Sequence, residues 1–293
     1  MEWEPDEQHL GDLGVTGIRR ETLRVLRAIL PSFLCHVSNI FIFLAHVAGC
    51  VTVFSSLVSG DLSRLLHLFF SPAFFYFLCD FAVMEGYDML FVLSVASFYR
   101  NKGADHRAGP MAIPRLLRRI NRDQRLRHCA TFLLAVTAFG GYTAVFGSAW
   151  RTLRLLHAPG EIVLPLRLLG GAACIAGVVY LAVLLRMACV VSLLENASGF
   201  GALCRSRELL AGKFWAAATV FAVLDGCFVA MLMAFPTVTV EDAMGGMGLG
   251  QFAAVAMMTA ILCVVMTGTL VAQPVVYLVC KNYHHNPRTL LEV

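Results

Sequence analysis

Six apolar stretches, Pro31–Val58, Phe70–Tyr99, His128–Trp150, Ile162–Leu194, Phe214–Pro236 and Gly250–Cys280, constrain this chain more than any other feature. A helix that crosses the ~30 Å hydrocarbon core of a bilayer needs about 20 mostly apolar residues. Every stretch meets or exceeds that length. Soluble α/β domains would show apolar runs of only about 4–8 residues, the length of a buried strand. Composition agrees, because 58% of the 293 residues are hydrophobic and only 14% are charged, against about 25% charged in soluble domains. The expected fold is all-α: a polytopic membrane helix bundle of about six transmembrane helices with cytoplasmic amphipathic helices.

The basic residues give an orientation. With a cytoplasmic N-terminus and alternating loops, 18 lysines and arginines fall on the cytoplasmic side, 4 fall opposite, and Arg186 lies inside a span. Lysine and arginine are retained on the cytoplasmic side of short loops, so the split favours six spans with both termini inside. The organisation that follows is an acidic tail and basic lead-in over 1–27, a six-span membrane domain over 28–281, and a cytoplasmic tail over 282–293. The first 17 residues carry Glu2, Glu4, Asp6 and Glu7 and read as a short flexible tail rather than a cleavable signal.

Ten cysteines are scattered without a CxxC pair. Most lie inside spans, where cysteine packs as a small hydrophobe. Cys129, Cys204 and Cys280 lie near the cytoplasmic interface, within reach of S-palmitoylation. The Asn196-Ala197-Ser198 triplet is a glycosylation sequon, which the expected topology places in the cytoplasm.

The loop over 100–127 divides in two. Gly103, Gly109 and Pro110 mark a connector. From Pro114 a helix is expected, since proline suits a first helical turn. Ile113, Leu116, Leu117 and Ile120 form one apolar stripe, and Arg115, Arg118, Arg119 and Arg122 occupy the other face. A basic amphipathic helix beside a membrane lies in the interface and attracts anionic lipid headgroups.

The densest polar motif runs over 195–213 and contains Glu195, Gly199, Ser206, Gly212 and Lys213. It reads as a glycine-broken turn and an amphipathic helix that ends at Gly212-Lys213. Glycine suits a helix end and lysine complements the dipole there. Glu195, Arg205, Arg207 and Glu208 are able to pair and pin the loop to the bundle. The pattern Glu195, Gly199, Ala202, Ser206, Leu209, Gly212 and Lys213, with Glu21-Thr22-Leu23 before the first span, resembles a six-span family of uncharacterised plant membrane proteins. That pattern is in turn similar to the membrane domain fused to bacterial glycerophosphodiester phosphodiesterases. The motif covers about 20 residues and the span layout most of the chain. In the bacterial fusions the chemistry belongs to a separate soluble domain, whose metal-ligating residues have no counterpart in this sequence, so the resemblance implies no activity.

Ionisable residues inside a bilayer cost ~2.5–3.5 kcal/mol at its centre and call for a partner or a use. At ~1.5 Å per helical residue, Asp88, Asp225 and Arg186 come out at ~14–18 Å from their span ends, with Glu85 about a turn from Asp88. Their convergence in the bundle interior is the expectation, either as a structural ion pair or as a polar cavity for a cation, proton or polar substrate. His36 and His46 add hydrogen-bonding groups on the first span.

Enzyme signatures are missing: there is no GxSxG, no HExxH and no phosphate-cradling glycine loop. His284-His285 reads as a solvated tail. Neither a cofactor nor a metal is expected. The first functional reading is a non-catalytic membrane scaffold or regulator. The second is a small transporter or channel that uses the carboxylates of spans two and five. An intramembrane lipid-modifying enzyme would need those acids nearer the interface. The expected partners are the bilayer, its anionic headgroups, and a second copy or another membrane protein, not nucleic acid. The membrane is an endomembrane or the plasma membrane.

Overall fold

The computed structural model describes residues 10–34, 86–99, 121–155, 160–240 and 249–285. The described residues are helices and turns, with no strand among them. In chain order the helices are α1 (Val15–Leu34), α2 (Gly86–Tyr99), α3 (Arg122–Leu155), α4 (Gly160–Leu194), α5 (Phe200–Leu210), α6 (Phe214–Val240) and α7 (Leu249–His285).

Four of them carry segments long and apolar enough to cross a membrane: Arg122–Phe146, Leu168–Leu194, Phe214–Ala234 and Ala253–His284. They coincide with the third to sixth apolar stretches. The shorter apolar α2 corresponds to the end of the second stretch. The first stretch beyond Leu34, and the second before Gly86, lie outside the described residues. Large apolar side chains point outward on the spanning helices, with Leu169 71% and Trp215 81% exposed. A protein in water rarely leaves contiguous apolar surface uncovered, and lipid is the solvent that suits it.

Local chemistry supports these helices. Asn121 precedes α3, and its backbone N–H donates to Gln124 Oε1 at 3.2 Å, half of a reciprocal capping box. Hydroxyls inside the apolar helices bond back to their own backbone: Thr137 to Leu133 O, Thr219 to Trp215 O and Thr267 to Cys263 O. Each such bond satisfies a donor that would be costly in hydrocarbon. Pro165 and Pro274 are accommodated inside α4 and α7.

The chain groups into two compact units. The first holds residues 1–15, 118–222 and 276–293, hence α3, α4, α5, the start of α6 and the end of α7. Its core includes Ala135, Leu185 and Cys189, packed by Phe132, Phe139, Leu181 and Leu203. On α4, Gly177 lets α3 approach, because a methyl there would overlap the hydroxyl of Tyr142. The second unit holds residues 16–117 and 223–275, hence nearly all of α1, all of α2 and the remainder of α6 and α7.

Three expectations change. The segment before Pro31 is not tail and lead-in alone: α1 is an amphipathic helix whose Ile18, Thr22, Val25, Leu26 and Ile29 are buried along one stripe. Leu10 is buried, and Gly11 lies so close to the Asn282–Tyr283 backbone that a Cβ would sit 2.9 Å from Tyr283 N. Residues 10–17 are therefore anchored rather than a flexible tail. At the other end α7 continues to His285, so the segment after 281 opens as helix, and His284 Nε2 lies 3.2 Å from Leu209 O rather than in a solvated tail. Finally, residues 122–127 are the first turns of α3 rather than the end of a separate interfacial helix.

Candidate functional site

The polar groups of the first unit gather around the turn that joins α4 to α5. Glu195 follows α4 directly, with its backbone N–H still bonded to Val191 O at 2.8 Å. Its carboxylate is the centre of the arrangement. One oxygen accepts from Tyr277 Oη of α7 at 2.8 Å and lies 3.7 Å from Lys281 Nζ. The other accepts from Arg205 Nε of α5 at 3.1 Å. The Glu195 and Lys281 side chains are only 17% and 13% exposed, and Tyr277 is fully buried. A hydrogen bond to a charged group contributes ~1.5–3 kcal/mol, more than a neutral one.

Arg205 also donates to Glu208 Oε2 at 3.0 Å. Its guanidinium is held above its ordinary range, first by that hydrogen bond and then by Glu195, with burial opposing both. Glu208 is two-thirds exposed, so this outer pair adds little. Arg207, expected as a fourth member, makes no ion pair among the described residues.

Two glycines shape the motif. Gly199 precedes α5 with φ +55°, and Gly212 follows it with φ +83°, a left-handed backbone that glycine adopts without a Cβ penalty. Gly199 N donates to Thr131 Oγ1 of α3 at 2.9 Å. Ser206 is buried in α5 and donates to Leu184 O of α4 at 3.2 Å. Lys213 Nζ donates to Leu13 O at 3.4 Å and sits over the Tyr283 ring, 4.9 Å from its centroid.

A second layer joins α3 to α4. Arg127 bonds to Asn196 Oδ1. His128 is fully buried, with Nδ1 3.2 Å from Ser192 Oγ and 3.3 Å from Cys189 O. Gln124 donates to Leu193 O at 3.4 Å. The chemistry available at this junction is that of a latch. A mostly buried carboxylate ties together the ends of α4, α5 and α7, and two glycines let the chain turn between them.

The other described sequence-selected residues lie on α2, α3, α4 and α6. Asp88 is buried on α2 and Asp225 half-buried on α6, both in the second unit. Arg186 is half-buried on α4 in the first unit, its guanidinium 5.3 Å from the centroid of the Phe221 ring. Glu85, Arg115, Arg118 and Arg119, like His36 and His46, lie outside the described residues. Arg122 is the exposed first residue of α3. Among the described residues, no group of three or more His, Cys, Asp or Glu is arranged to hold a metal ion.

Sequence reasoning missed Tyr277, Lys281, Thr131 and His128. The signal for the first two was a tyrosine and a lysine four residues apart near the end of an otherwise apolar run, one helical face apart from the lipid.

No curated protein and no solved structure matches the chain. The family model described as a domain of unknown function, DUF8558, matches residues 53–288, a span that contains the whole latch. The chain belongs to that family, DUF8558.

Proposed function

We propose that this is a non-catalytic membrane scaffold or regulator, a six-span bundle with both termini and the Glu195 junction on the cytoplasmic side. The observation that carries the reading is the closure of the 195–213 motif on its own chain. Its carboxylate bonds to Tyr277 and Arg205, its hydroxyl to Leu184 O, and its lysine to Leu13 O. Groups bonded in this way hold helices in register, whereas a catalytic acid or base needs free reach toward a substrate. The basic residues on the same side support the orientation.

One observation favours a second reading as a small transporter or channel. Asp88 is a buried carboxylate on an apolar helix, and intramembrane acids commonly mark ion or proton pathways. In that reading the carboxylates of spans two and five, Asp88 and Asp225 among them, serve the transported ion. Reconstitution separates the two. Proteoliposomes holding the purified chain are loaded with a pH-sensitive dye and given a proton or sodium gradient. The scaffold reading expects the leak rate of empty vesicles. A flux that Asp88→Asn abolishes while the protein stays folded establishes the carrier instead.

A further inference from the structure

We propose that the exposed face of α1 is a binding site for an anionic phospholipid headgroup. The helix is divided by chemistry. Ile18, Val25, Leu26 and Ile29 are buried on one side, while Arg19, Arg20, Arg24 and Arg27 are exposed on the other. Those four arginines, together with Thr16 and Leu23, line an open-sided groove of about 940 Å³, within the size range of small-molecule sites.

The single acid on this helix does not neutralise the face. Glu21 accepts from Tyr99 Oη of α2 at 2.9 Å and lies 3.3 Å from Arg24 Nη1. It is thereby held beside one arginine and tied to the neighbouring helix. Among the described residues no acid pairs with Arg19, Arg20 or Arg27. Three guanidinium groups thus remain on the groove side, each with the planar donor fork that fits two oxygens of a phosphate. Leu23 is 45% exposed in the same groove and offers apolar contact to the glycerol end of a lipid.

Position selects a lipid over a soluble anion. The first apolar stretch opens at Pro31. At 1.5 Å per residue, Arg27 lies about 6 Å and Arg19 about 18 Å of helix before it. Arginines at that distance from a hydrocarbon boundary share the headgroup layer, whose negative surface potential favours each of them. The apolar face of α1 is already buried, so the helix does not need to insert, and its arginines remain turned toward the phosphates.

The test uses the full chain purified in a neutral detergent. Native mass spectrometry counts lipid adducts with added phosphatidylglycerol, phosphatidylserine or phosphatidylcholine. The wild type is expected to hold one anionic lipid at least tenfold more tightly than phosphatidylcholine. Arg19→Gln, Arg20→Gln and Arg27→Gln combined should weaken it about a hundredfold. Arg24 is left in its pair, and glutamine keeps the helix propensity. A lysine triple variant, folded and charged, should retain the anionic preference, which separates lost charge from lost fold. Equal binding of charged and zwitterionic lipid by the wild type overturns the proposal, as does unchanged binding by the glutamine variant. So does full displacement of the lipid by millimolar inorganic phosphate, which identifies a free-phosphate site. An acidic peptide that binds α1 where the lipids do not would identify a protein partner and overturn it equally.

Discussion

Glu195 Oε1 accepts a 2.8 Å hydrogen bond from Tyr277 Oη, which joins the turn after α4 to the last turns of α7. The tyrosine is fully buried, and a buried hydroxyl without a partner costs ~1–3 kcal/mol. The carboxylate is itself costly to bury and is stabilised by Arg205 and Lys281. Each group thus answers the burial cost of the other. Such a mutual arrangement makes the junction sensitive to loss of either member and tolerant of changes at its exposed rim.

The members of the junction should therefore rank by burial. Glu195→Ala should destabilise the protein by about 2–4 kcal/mol, because it leaves the Tyr277 hydroxyl without its acceptor and removes the negative charge that Lys281 and Arg205 face. Glu195→Gln should cost less, since the amide oxygen still accepts from Tyr277. Glu208→Ala should cost about 0–0.5 kcal/mol, as expected for an exposed pair. Unfolding titrations in mixed micelles measure the order, and a Glu208 effect equal to that of Glu195 would contradict it.

The two left-handed glycines should differ. Gly199→Ala meets open space and should cost only the backbone term, ~1–2 kcal/mol. At Gly212 a Cβ would also lie 2.9 Å from Tyr283 Cε1. Gly212→Ala should therefore destabilise more, and Gly212→Ala with Tyr283→Ala should recover part of the difference. Thermal unfolding of the three variants reads the ranking.

The Arg205 guanidinium titrates above its ordinary range. A cation with a raised folded-state pKa stabilises the protein fully below its unfolded value, which for a guanidinium lies far above neutral pH, and that contribution is lost as pH rises through the folded value. The stability difference between wild type and Arg205→Gln should therefore stay constant between about pH 7 and 9. A slope in that window would show that another titrating group governs the pair.

Topology is open to a labelling test. With the junction in the cytoplasm, Asn196 should remain unglycosylated in microsomes. A single cysteine placed there in a cysteine-free background should react with a membrane-impermeant maleimide in sealed microsomes, without permeabilisation. Glycosylation at Asn196 would reverse the orientation.

Much of the helical frame was legible in the sequence because apolar run length alone decides it. The runs beginning at His128, Ile162, Phe214 and Gly250 correspond to α3, α4, α6 and α7. The turn and short helix after Glu195 were legible from Gly199, Gly212 and the spacing of Ala202, Ser206 and Leu209. Helix α1 was readable too, since Ile18, Thr22, Val25, Leu26 and Ile29 form a stripe at helical spacing, yet its arginines drew attention to topology instead. The partners of Glu195 were only half legible. Arg205 lies ten residues away in the same motif, but Tyr277 lies 82 residues away, and no local pattern encodes which helix end meets which. Depth counting gave Asp88, Asp225 and Arg186 only a height in the bilayer, because rise per residue does not fix the face of a helix.

The double-mutant cycle on Glu195 and Tyr277 tests the latch most directly. Unfolding free energies are measured for the wild type, Glu195→Ala, Tyr277→Phe and the double variant in one micelle composition. If the two residues act as one unit, the double variant costs less than the sum of the single variants by about 1–3 kcal/mol. Additive losses, with a coupling below about 0.3 kcal/mol, would show that the two side chains stabilise the fold independently and would contradict the latch.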